Sequence, residues 1–325
     1  MKCINKSKKI LLLSALTAVL LMSGCKKDDD TFVSQYMDAT YNKSLYQGTL
    51  FATDLCVEEG NVDIEGYTTD QNLHATALFD LTDKQVLHSF DIHQKTYPAS
   101  ITKIMTALLA LEYGNFDDEI TISSTAAASS FPSYAQVCGL EEGDVWTLKD
   151  LLNALLVYSG NDAAKAIGEY VAGTEEDFVN MMNIKAKELM ANNTHFMNTH
   201  GLHDDNHYTT AYDIYLIFSE CIKDPRFVEI ISGDSYTAKI KKPDGSIEEE
   251  TFKPTNLYAK QVVEVPDNVT IVGGKTGTTD EAGSCLVLLE YDDQDRPYIS
   301  IVLGAPDKNV LYTDMSSIIR SIPAK

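Results

Sequence analysis

Strand-like segments lie near both ends of the chain, and a helix-rich region lies between them. Short apolar runs at 74–80 and 86–90 flank a polar turn, which predicts a hairpin near the beginning. Near the end, residues 270–273, 284–290 and 298–303 have the same strand-like character. Because strands bury their apolar faces most readily in a shared sheet, we expect one sheet assembled from both ends, with a helical lobe inserted between them. The predicted fold class is therefore mixed α/β, of the α+β type.

The central region has the periodicity and the end signals of helices. Thr-Leu-Lys-Asp at 147–150 is an N-terminal capping signature, Gly114 is typical of a helix end, and Gly160 interrupts a helical pattern. A Pro-Asp-Gly turn at 243–245 indicates a further hairpin. The predicted elements are helices over 101–113, 147–172 with a break near 159–160, 175–190, 210–222 and 310–322, and a hairpin over 234–253.

Three short motifs carry the candidate chemistry. They are Ser-Ile-Thr-Lys at 100–103, Ser-Gly-Asn at 159–161 and Lys-Thr-Gly at 275–277. Together they supply two hydroxyl groups, two ammonium groups and one amide. Each motif alone is common by chance, but their joint occurrence in this order predicts one catalytic site built from distant segments.

Ser100 and Lys103 are three residues apart at the start of a predicted helix, so their side chains should share a face. A serine hydroxyl becomes nucleophilic when a base takes its proton. Lys103 can be that base if burial and a second ammonium, that of Lys275, lower its pKa. The backbone N–H of Ser100 at a helix start can stabilise an oxyanion. Taken alone, the pair also fits an ordinary helix with an N-terminal serine and a lysine stem lying along apolar surface.

The second motif interrupts a helix with a small residue, which lets Ser159 and Asn161 point into a cleft. Ser159 fits a proton relay to a leaving amine, and the Asn161 amide can hold a substrate amide and a lysine together. Taken alone, the motif also fits a plain turn between helices.

The third motif is predicted to lie between two strands, where its glycines would let a ligand backbone approach a strand edge. Lys275 and Thr276 suit a substrate carboxylate. The N–H of Thr278, beside Gly277, could complete an oxyanion hole with that of Ser100. A phosphate site is disfavoured because no Gly-x-x-x-x-Gly-Lys-Ser/Thr loop is present.

A histidine-rich stretch offers a competing interpretation as a metal site. His200, His203 and His207 are interspersed with Asp204 and Asp205. The stretch lacks a His-Glu-x-x-His helix, and its spacing matches no standard zinc set. A structural loop is therefore the preferred interpretation, and we predict no metal and no cofactor.

The chain resembles the low-molecular-mass penicillin-binding proteins, the serine D-alanyl-D-alanine carboxypeptidase family, from about residue 74 to residue 306. The matching segments are 97–112, 159–164, 200–202, 207–213, 274–279 and 282–285. The resemblance implies a β-lactamase/transpeptidase-like fold, in which a mostly antiparallel sheet is flanked by helices beside a helical lobe. It also implies hydrolysis of the terminal D-alanine from peptidoglycan stem peptides through an acyl-enzyme, and acylation by β-lactam antibiotics.

The same resemblance assigns roles to the motif residues. The implied catalytic residues are Ser100 as nucleophile, Lys103 as base and Ser159 as proton relay. The implied substrate-binding residues are Asn161, Lys275, Thr276, Gly277 and Thr278.

Two other functions stay open on the sequence. A serine β-lactamase usually needs a Glu roughly a hundred residues after the nucleophile, and 189–219 contains none. The second alternative is a catalytically silent lipoprotein that binds wall peptides or β-lactams.

The N-terminus has the pattern of an export signal. Lysines precede an apolar run over 10–21 that is short for a bilayer span. Residues 21–25, Leu-Met-Ser-Gly-Cys, resemble a bacterial lipoprotein processing site, in which Cys25 carries the lipid. An ordinary signal peptide with an incidental Cys25 is the alternative. We expect a signal peptide over 1–24, a tether and lead-in over 25–70, and a single catalytic domain over 71–325, with its helical lobe at about 115–225.

Charge limits the partners. Removing residues 1–24 takes away four lysines and no acid, which changes the net charge from −22 to −26. This disfavours nucleic acid and electrostatic docking on anionic lipid. Attachment to the outer face of the cytoplasmic membrane would then depend on acyl chains. Members of the family often continue into a C-terminal β-rich domain and an anchoring helix, which an N-terminal lipid would replace here.

Four cysteines remain once Cys3 and the lipidation candidate are set aside. They are Cys56, Cys138, Cys221 and Cys285. Their wide separation indicates neither a metal-ligand pattern nor a small disulfide-bonded scaffold, and the sequence leaves their redox state open.

Overall fold

The computed structural model describes residues 52–70 and 72–323. The chain divides into the units 1–53 and 54–325, and the elements below belong to the second unit. In chain order they are β1 (Ala75–Asp80), β2 (Gln85–Phe90), α1 (Lys103–Tyr113), β3 (Glu119–Thr121), β4 (Val145–Thr147), α2 (Leu148–Asn153), α3 (Asn161–Ala172), α4 (Glu175–Glu188), α5 (Ala211–Cys221), α6 (Pro225–Ile231), β5 (Tyr236–Lys241), β6 (Ile247–Phe252), β7 (Val269–Thr279), β8 (Gly283–Asp292), β9 (Pro297–Ala305) and α7 (Lys308–Arg320).

Both ends of the chain contribute to one antiparallel sheet. Its strand order is β2-β1-β9-β8-β7, so β1 pairs with β9 across more than 200 residues of sequence. The predicted assembly from both ends is confirmed. Strand β7 lies at one edge, with one side paired to β8 and the other side directed away from the sheet.

Each face of this sheet is covered. Leu286, Leu288 and Val302 belong to the apolar cluster that includes Met315 and Ile318 of helix α7. On the opposite face, side chains of β1, β8 and β9 join the larger cluster with the helical lobe. The alternation follows from the strand period of two, because successive side chains point to opposite faces.

Helix α1 runs through the middle of the larger core. Every residue from Lys103 to Leu111 is buried. Full burial of each large apolar side chain contributes about 1.5–3 kcal/mol. That apolar packing offsets the cost of keeping the Lys103 ammonium group away from water.

Several predicted boundaries are confirmed and two predictions are wrong. Thr147 caps α2 through a capping box with Asp150, and the helical pattern breaks at a π-helical segment, Ala154–Tyr158. The strand predicted over 270–273 continues to Thr279, so the Lys-Thr-Gly motif lies within β7 and not between strands. Pairing with β8 continues along the motif, where Lys275 lies opposite Val287 and Gly277 lies opposite Cys285.

The single-sheet prediction missed a second, four-stranded sheet of order β3-β4-β5-β6. Strands β3 and β4 have three residues each, which is too short for an alternating pattern to be recognised. The predicted hairpin is confirmed as β5 and β6, and its turn contains Gly245 with a φ of +86°. The sequence also did not predict α6, which has seven residues.

Residues 54–70 pack onto the rest of their unit. The N–H of Cys56 donates to the Tyr215 hydroxyl at 2.8 Å, and Val62 pairs with Ser89 of β2. The Tyr67 hydroxyl donates to Asp314 of α7 at 2.8 Å. The four cysteines of the described ranges, Cys56, Cys138, Cys221 and Cys285, form no disulfide. Within 52–70 and 72–323, no helix has the length and apolar character needed to cross a membrane.

Candidate active site

The candidate nucleophile lies on a tight turn that leads into α1. Ser100 belongs to the 3-10 turn Ala99–Thr102, and Ala99 has a φ of +46°. A Cβ at Gly201 would lie 1.9 Å from the Ala99 carbonyl oxygen, and one at Gly277 would lie 3.0 Å from the Ser100 nitrogen. Glycines at these two positions therefore allow the 198–202 loop and β7 to pack closely against the turn Ala99–Thr102, the nucleophile turn. Backbone strain of this kind is frequent at functional sites.

Lys103 joins the first two motifs. Its Nζ donates to Ser100 Oγ at 2.9 Å, to Asn161 Oδ1 at 2.7 Å and to the His200 carbonyl at 2.6 Å. Burial, and then the nearby charge of Lys275, hold the pKa of Lys103 well below its ordinary value. The neutral amine that a general base requires is therefore accessible, and it lies within hydrogen-bonding distance of the Ser100 hydroxyl.

Ser159 joins the second motif to the third. It ends the π-helical segment with a φ of +76°, and α3 begins two residues later at Asn161. Lys275 Nζ donates to Ser159 Oγ at 2.8 Å and to the Thr276 carbonyl at 2.9 Å. Burial lowers the pKa of Lys275 to about 7. The site thus contains two Ser–Lys pairs.

The glycines of β7 lie close to other backbone segments of the protein. A Cβ at Gly273 would lie 2.0 Å from the Ile231 carbonyl oxygen, and one at Gly274 would lie 1.9 Å from that of Val287. These glycines therefore accommodate the protein's own backbone, and Gly277 accommodates the nucleophile turn. These contacts concern only the side on which a Cβ would lie, so the approach of a ligand backbone to this strand edge stays a prediction.

A cleft runs past Ser100 on both sides. One part, of about 200 Å³, also contains Ser159, Thr276, Gly277 and Thr278. The other part, of about 600 Å³, contains Asn161 and Thr278. All eight predicted catalytic and substrate-binding residues therefore lie together in this region, with Lys103 and Lys275 buried behind the lining and hydrogen-bonded to Ser100 and Ser159. The proposed lipidation residue, Cys25, lies outside the described residues.

The motifs did not reveal several other residues that line the cleft. Thr255 precedes β7, and its hydroxyl lies 2.5 Å from that of Thr276. Others are Lys308 and Tyr312 in the smaller part, Tyr134, His203, Asp280 and Glu281 in the larger part, and Gln136 in both. They belong to loops and a helix start with no motif of their own, so only the tertiary fold identifies them.

The three histidines considered as metal ligands have separate partners. His207 Nε2 lies 2.8 Å from Thr102 Oγ1, its Nδ1 accepts from the Met197 N–H, and burial lowers its pKa to about 3. His200 is buried and accepts from the Leu202 N–H. Within 52–70 and 72–323, no three His, Cys, Asp or Glu side chains are arranged to hold a metal ion. The geometry of this stretch is that of a structural loop.

Comparison with known proteins identifies the family. The family model described as D-alanyl-D-alanine carboxypeptidase matches residues 67–307. The chain belongs to the D-alanyl-D-alanine carboxypeptidase family. It is 31% identical over 284 residues to D-alanyl-D-alanine carboxypeptidase DacC of Escherichia coli, which covers 85% of this chain and 65% of that protein. It is 32% identical over 263 residues to D-alanyl-D-alanine carboxypeptidase DacF of Bacillus subtilis, and this match covers 77% of this chain and 64% of that protein. The chain thus spans slightly less than two thirds of these relatives.

Solved structures of this family share the fold. The Streptomyces K15 DD-transpeptidase superposes with a TM-score of 0.72 at 26% identity, covering 78% of this chain and 98% of that one. Penicillin-binding protein 5 of Haemophilus influenzae superposes with a TM-score of 0.68 at 28% identity, covering 78% and 72%. The predicted fold class, α+β of the β-lactamase/transpeptidase type, is confirmed.

Proposed function

We propose that this protein is a serine D-alanyl-D-alanine carboxypeptidase that removes the terminal D-alanine from peptidoglycan stem peptides. The observation that carries the proposal is the buried Lys103 amine 2.9 Å from Ser100 Oγ, at the base of a cleft open on both sides of the serine. A desolvated lysine is a competent base for a serine nucleophile. Membership of the carboxypeptidase family supports the same activity.

Acylation follows from the contacts. Ser100 Oγ attacks the carbonyl carbon of the scissile amide while Lys103 accepts the hydroxyl proton. The tetrahedral oxyanion faces the backbone N–H groups of Ser100 and Thr278. The C–N bond then breaks, and the leaving amine of D-alanine takes the proton that Lys103 holds, relayed through the Ser159 hydroxyl. A water molecule then attacks the ester carbonyl carbon and gives its proton to Lys103. The bond between that carbon and Ser100 Oγ breaks, and Lys103 returns the proton to the Ser100 oxygen.

The smaller part of the cleft suits the leaving D-alanine. Its carboxylate would face the Thr276 hydroxyl above the Lys275 ammonium group, with Lys308 at the rim. Positive charge at this end complements a C-terminal carboxylate. A β-lactam presents an amide and a carboxylate in a similar arrangement, so we expect it to acylate Ser100 and form a long-lived ester.

The experiment is intact mass spectrometry of the protein after incubation with benzylpenicillin, beside Ser100→Ala. We expect a single lasting adduct on the wild-type protein and none on the variant, because only the serine hydroxyl can form the ester. Release of D-alanine from an acyl-D-Ala-D-Ala peptide should depend on Ser100 in the same way. Absence of any adduct on the wild-type protein would refute the proposal, and rapid drug turnover with a fleeting adduct would favour a β-lactamase.

We also propose that the protein is exported and anchored by a lipid on Cys25, at the outer face of the cytoplasmic membrane. The support is the apolar run over 10–21 followed by Leu-Met-Ser-Gly-Cys at 21–25. Expressed in a bacterial host with labelled palmitate, the wild-type chain should incorporate label and sediment with membranes. Cys25→Ser should lose the label, whereas Cys3→Ser should keep it. Equal labelling of both variants would contradict the anchor.

A further inference from the structure

Asp162, the residue after the Ser-Gly-Asn motif, is fully buried and has no role in the steps above. Its carboxylate accepts four backbone N–H groups. Cys138 donates at 2.8 Å, Gly139 at 3.0 Å, Leu140 at 3.1 Å and Ala163 at 2.9 Å. Three of these donors are consecutive residues of a distant loop, so one carboxylate orders that whole backbone segment.

The loop so held, residues 136–140, forms a wall of the cleft. The Gln136 carbonyl accepts the Asn161 N–H at 2.8 Å, and a Cβ at Gly160 would lie 2.1 Å from Cys138 Sγ. The loop and the motif turn are therefore in close contact. The exposed Gln136 side chain lines both parts of the cleft together with Ser100.

A glutamine at this position can bind a peptide backbone. Its amide offers two donors and an acceptor, which matches the N–H and C=O of a substrate amide. Gln136 Nε2 makes one long contact, 3.5 Å to the Tyr158 carbonyl, and the residue is exposed to solvent. The side chain is thus placed beside the nucleophile with bonding capacity to spare.

Asp162 also supplies negative charge close to the catalytic base. The groups that face Lys103 are Lys275 from β7, Cys138 from the loop, Asp162 from α3 and His200 from the 198–202 loop. Among them, Lys275 deepens the fall in the pKa of Lys103, whereas Cys138 and then Asp162 oppose it. Loss of the Asp162 charge therefore lowers the pKa of Lys103 further.

We infer that Asp162 is a positioning residue for the reaction and that Gln136, which it holds in the cleft wall, contacts the substrate peptide beside Ser100. This inference rests on the proposed function. The ligand is an acyl-D-Ala-D-Ala peptide, and Gln136 would bind one of its backbone amides. The competing interpretation is that Asp162 only stabilises the fold.

The first test compares Asp162→Asn with Asp150→Asn. An asparagine amide cannot accept the N–H groups that the lost oxygen accepted, so the wall shifts. Asp150 is a similarly buried carboxylate that completes the capping box of α2 and accepts the Tyr236 hydroxyl, away from the cleft. We expect Asp162→Asn to slow benzylpenicillin acylation by about 100-fold, as misplacement near 1 Å does. Asp150→Asn should lower Tm and leave the acylation rate of the folded protein unchanged.

The pH profile separates positioning from stability. Acylation needs neutral Lys103, so the rate rises with pH through the pKa of that residue. This rising part of the pH–rate profile is its acidic limb. The limb should move to lower pH in Asp162→Asn and should stay in place in Asp150→Asn. An acylation rate equal to that of the wild type, or a slower rate with an unshifted limb, would overturn the role of Asp162.

The second test uses Gln136→Ala with Val137→Ala as the neighbouring control. Gln136 is exposed, so its replacement should leave Tm unchanged and raise the peptide KM about tenfold, the cost of one hydrogen bond to substrate. Val137→Ala should leave KM unchanged. An unchanged KM in Gln136→Ala would overturn the substrate contact, and this variant decides the inference if Asp162→Asn does not fold. A wild-type protein that forms no adduct refutes the proposed function instead.

Discussion

At the residue scale, the site depends on two lysines that have lost contact with water. Burial is the main cause of the lowered pKa of both Lys103 and Lys275, and for Lys103 the neighbouring ammonium adds to it. Each lysine donates to a serine hydroxyl, Ser100 or Ser159. Loss of water therefore lowers the pKa of Lys103, so that it can act as a base, and places the pKa of Lys275 near neutral pH.

Lys275→Arg tests the charge needed for substrate binding. The pKa of Lys275 is about 7, so its ammonium is present below pH 7 and is lost as the pH rises. We expect wild-type kcat/KM for an acyl-D-Ala-D-Ala peptide to fall above this pH, because the substrate carboxylate loses its partner. In Lys275→Arg the guanidinium stays charged, so this fall should disappear even if the overall rate is lower.

The control for this profile is Lys242→Arg. Lys242 follows β5, pairs with Glu141 and Asp144 of the segment before β4, and lies outside the cleft lining. Its replacement should reproduce the wild-type profile. An alkaline fall that persists in Lys275→Arg would show that another group titrates.

At the element scale, the site is formed where secondary structure is interrupted or ends. Ser100 lies on a 3-10 turn before α1, and Ser159 lies at the end of a π-helical segment before α3. Irregular turns of this kind are frequent at functional sites. Strand β7 contributes an edge, so its outer backbone groups are free of sheet partners on that side and face the nucleophile turn. An extended peptide can pair with such an edge.

Strand β8 contains a buried carboxyl group that affects stability. Glu290 is fully buried and shares a face with Leu286 and Leu288, the face covered by α7. Burial raises its pKa from 4.5 to about 8. Between these values the unfolded chain is ionised at this residue and the folded protein is protonated. The free energy of unfolding therefore falls as the pH rises across this window, by about 1.4 kcal/mol per pH unit.

Glu290→Gln should remove this dependence, because the amide is neutral at every pH. We expect the variant to unfold at a higher urea concentration than the wild type at pH 8, with a smaller difference at pH 5. Glu249→Gln, on the exposed strand β6, is the matched control and should retain the wild-type slope. A parallel pH dependence in Glu290→Gln and the wild type would rule out ionisation of Glu290 as the cause.

At the scale of the whole molecule, both ends of the second unit stabilise the same sheet. Residues 54–70 reach β2, α5 and α7 through Val62, Cys56 and Tyr67. Helix α7 covers one face of the sheet, and the helical lobe covers the other. The nucleophile turn, the second motif and β7 are consequently held by one continuous core.

The sequence alone predicted the chemistry of the site and the elements that carry it. Side chains three residues apart on a helix must share a face, and this spacing is sufficient to place Ser100 beside Lys103. Gly160 in a helical pattern indicated the break at Ser159, and Gly245 after Pro-Asp indicated the hairpin of β5 and β6. These are local effects, since they depend on backbone conformation within a few residues.

Only the tertiary structure decided what depends on contacts between distant segments. The sequence did not reveal that the glycines of β7 accommodate backbone atoms of Ile231, Val287 and Pro98, because these residues belong to other parts of the fold. Gln136 enters the cleft because the Asp162 carboxylate orders its loop. No local sequence pattern predicts this contact between distant segments. The sequence determined which groups are present and their local geometry. Packing determined that both lysines lose water and that Lys103 is the one beside Ser100.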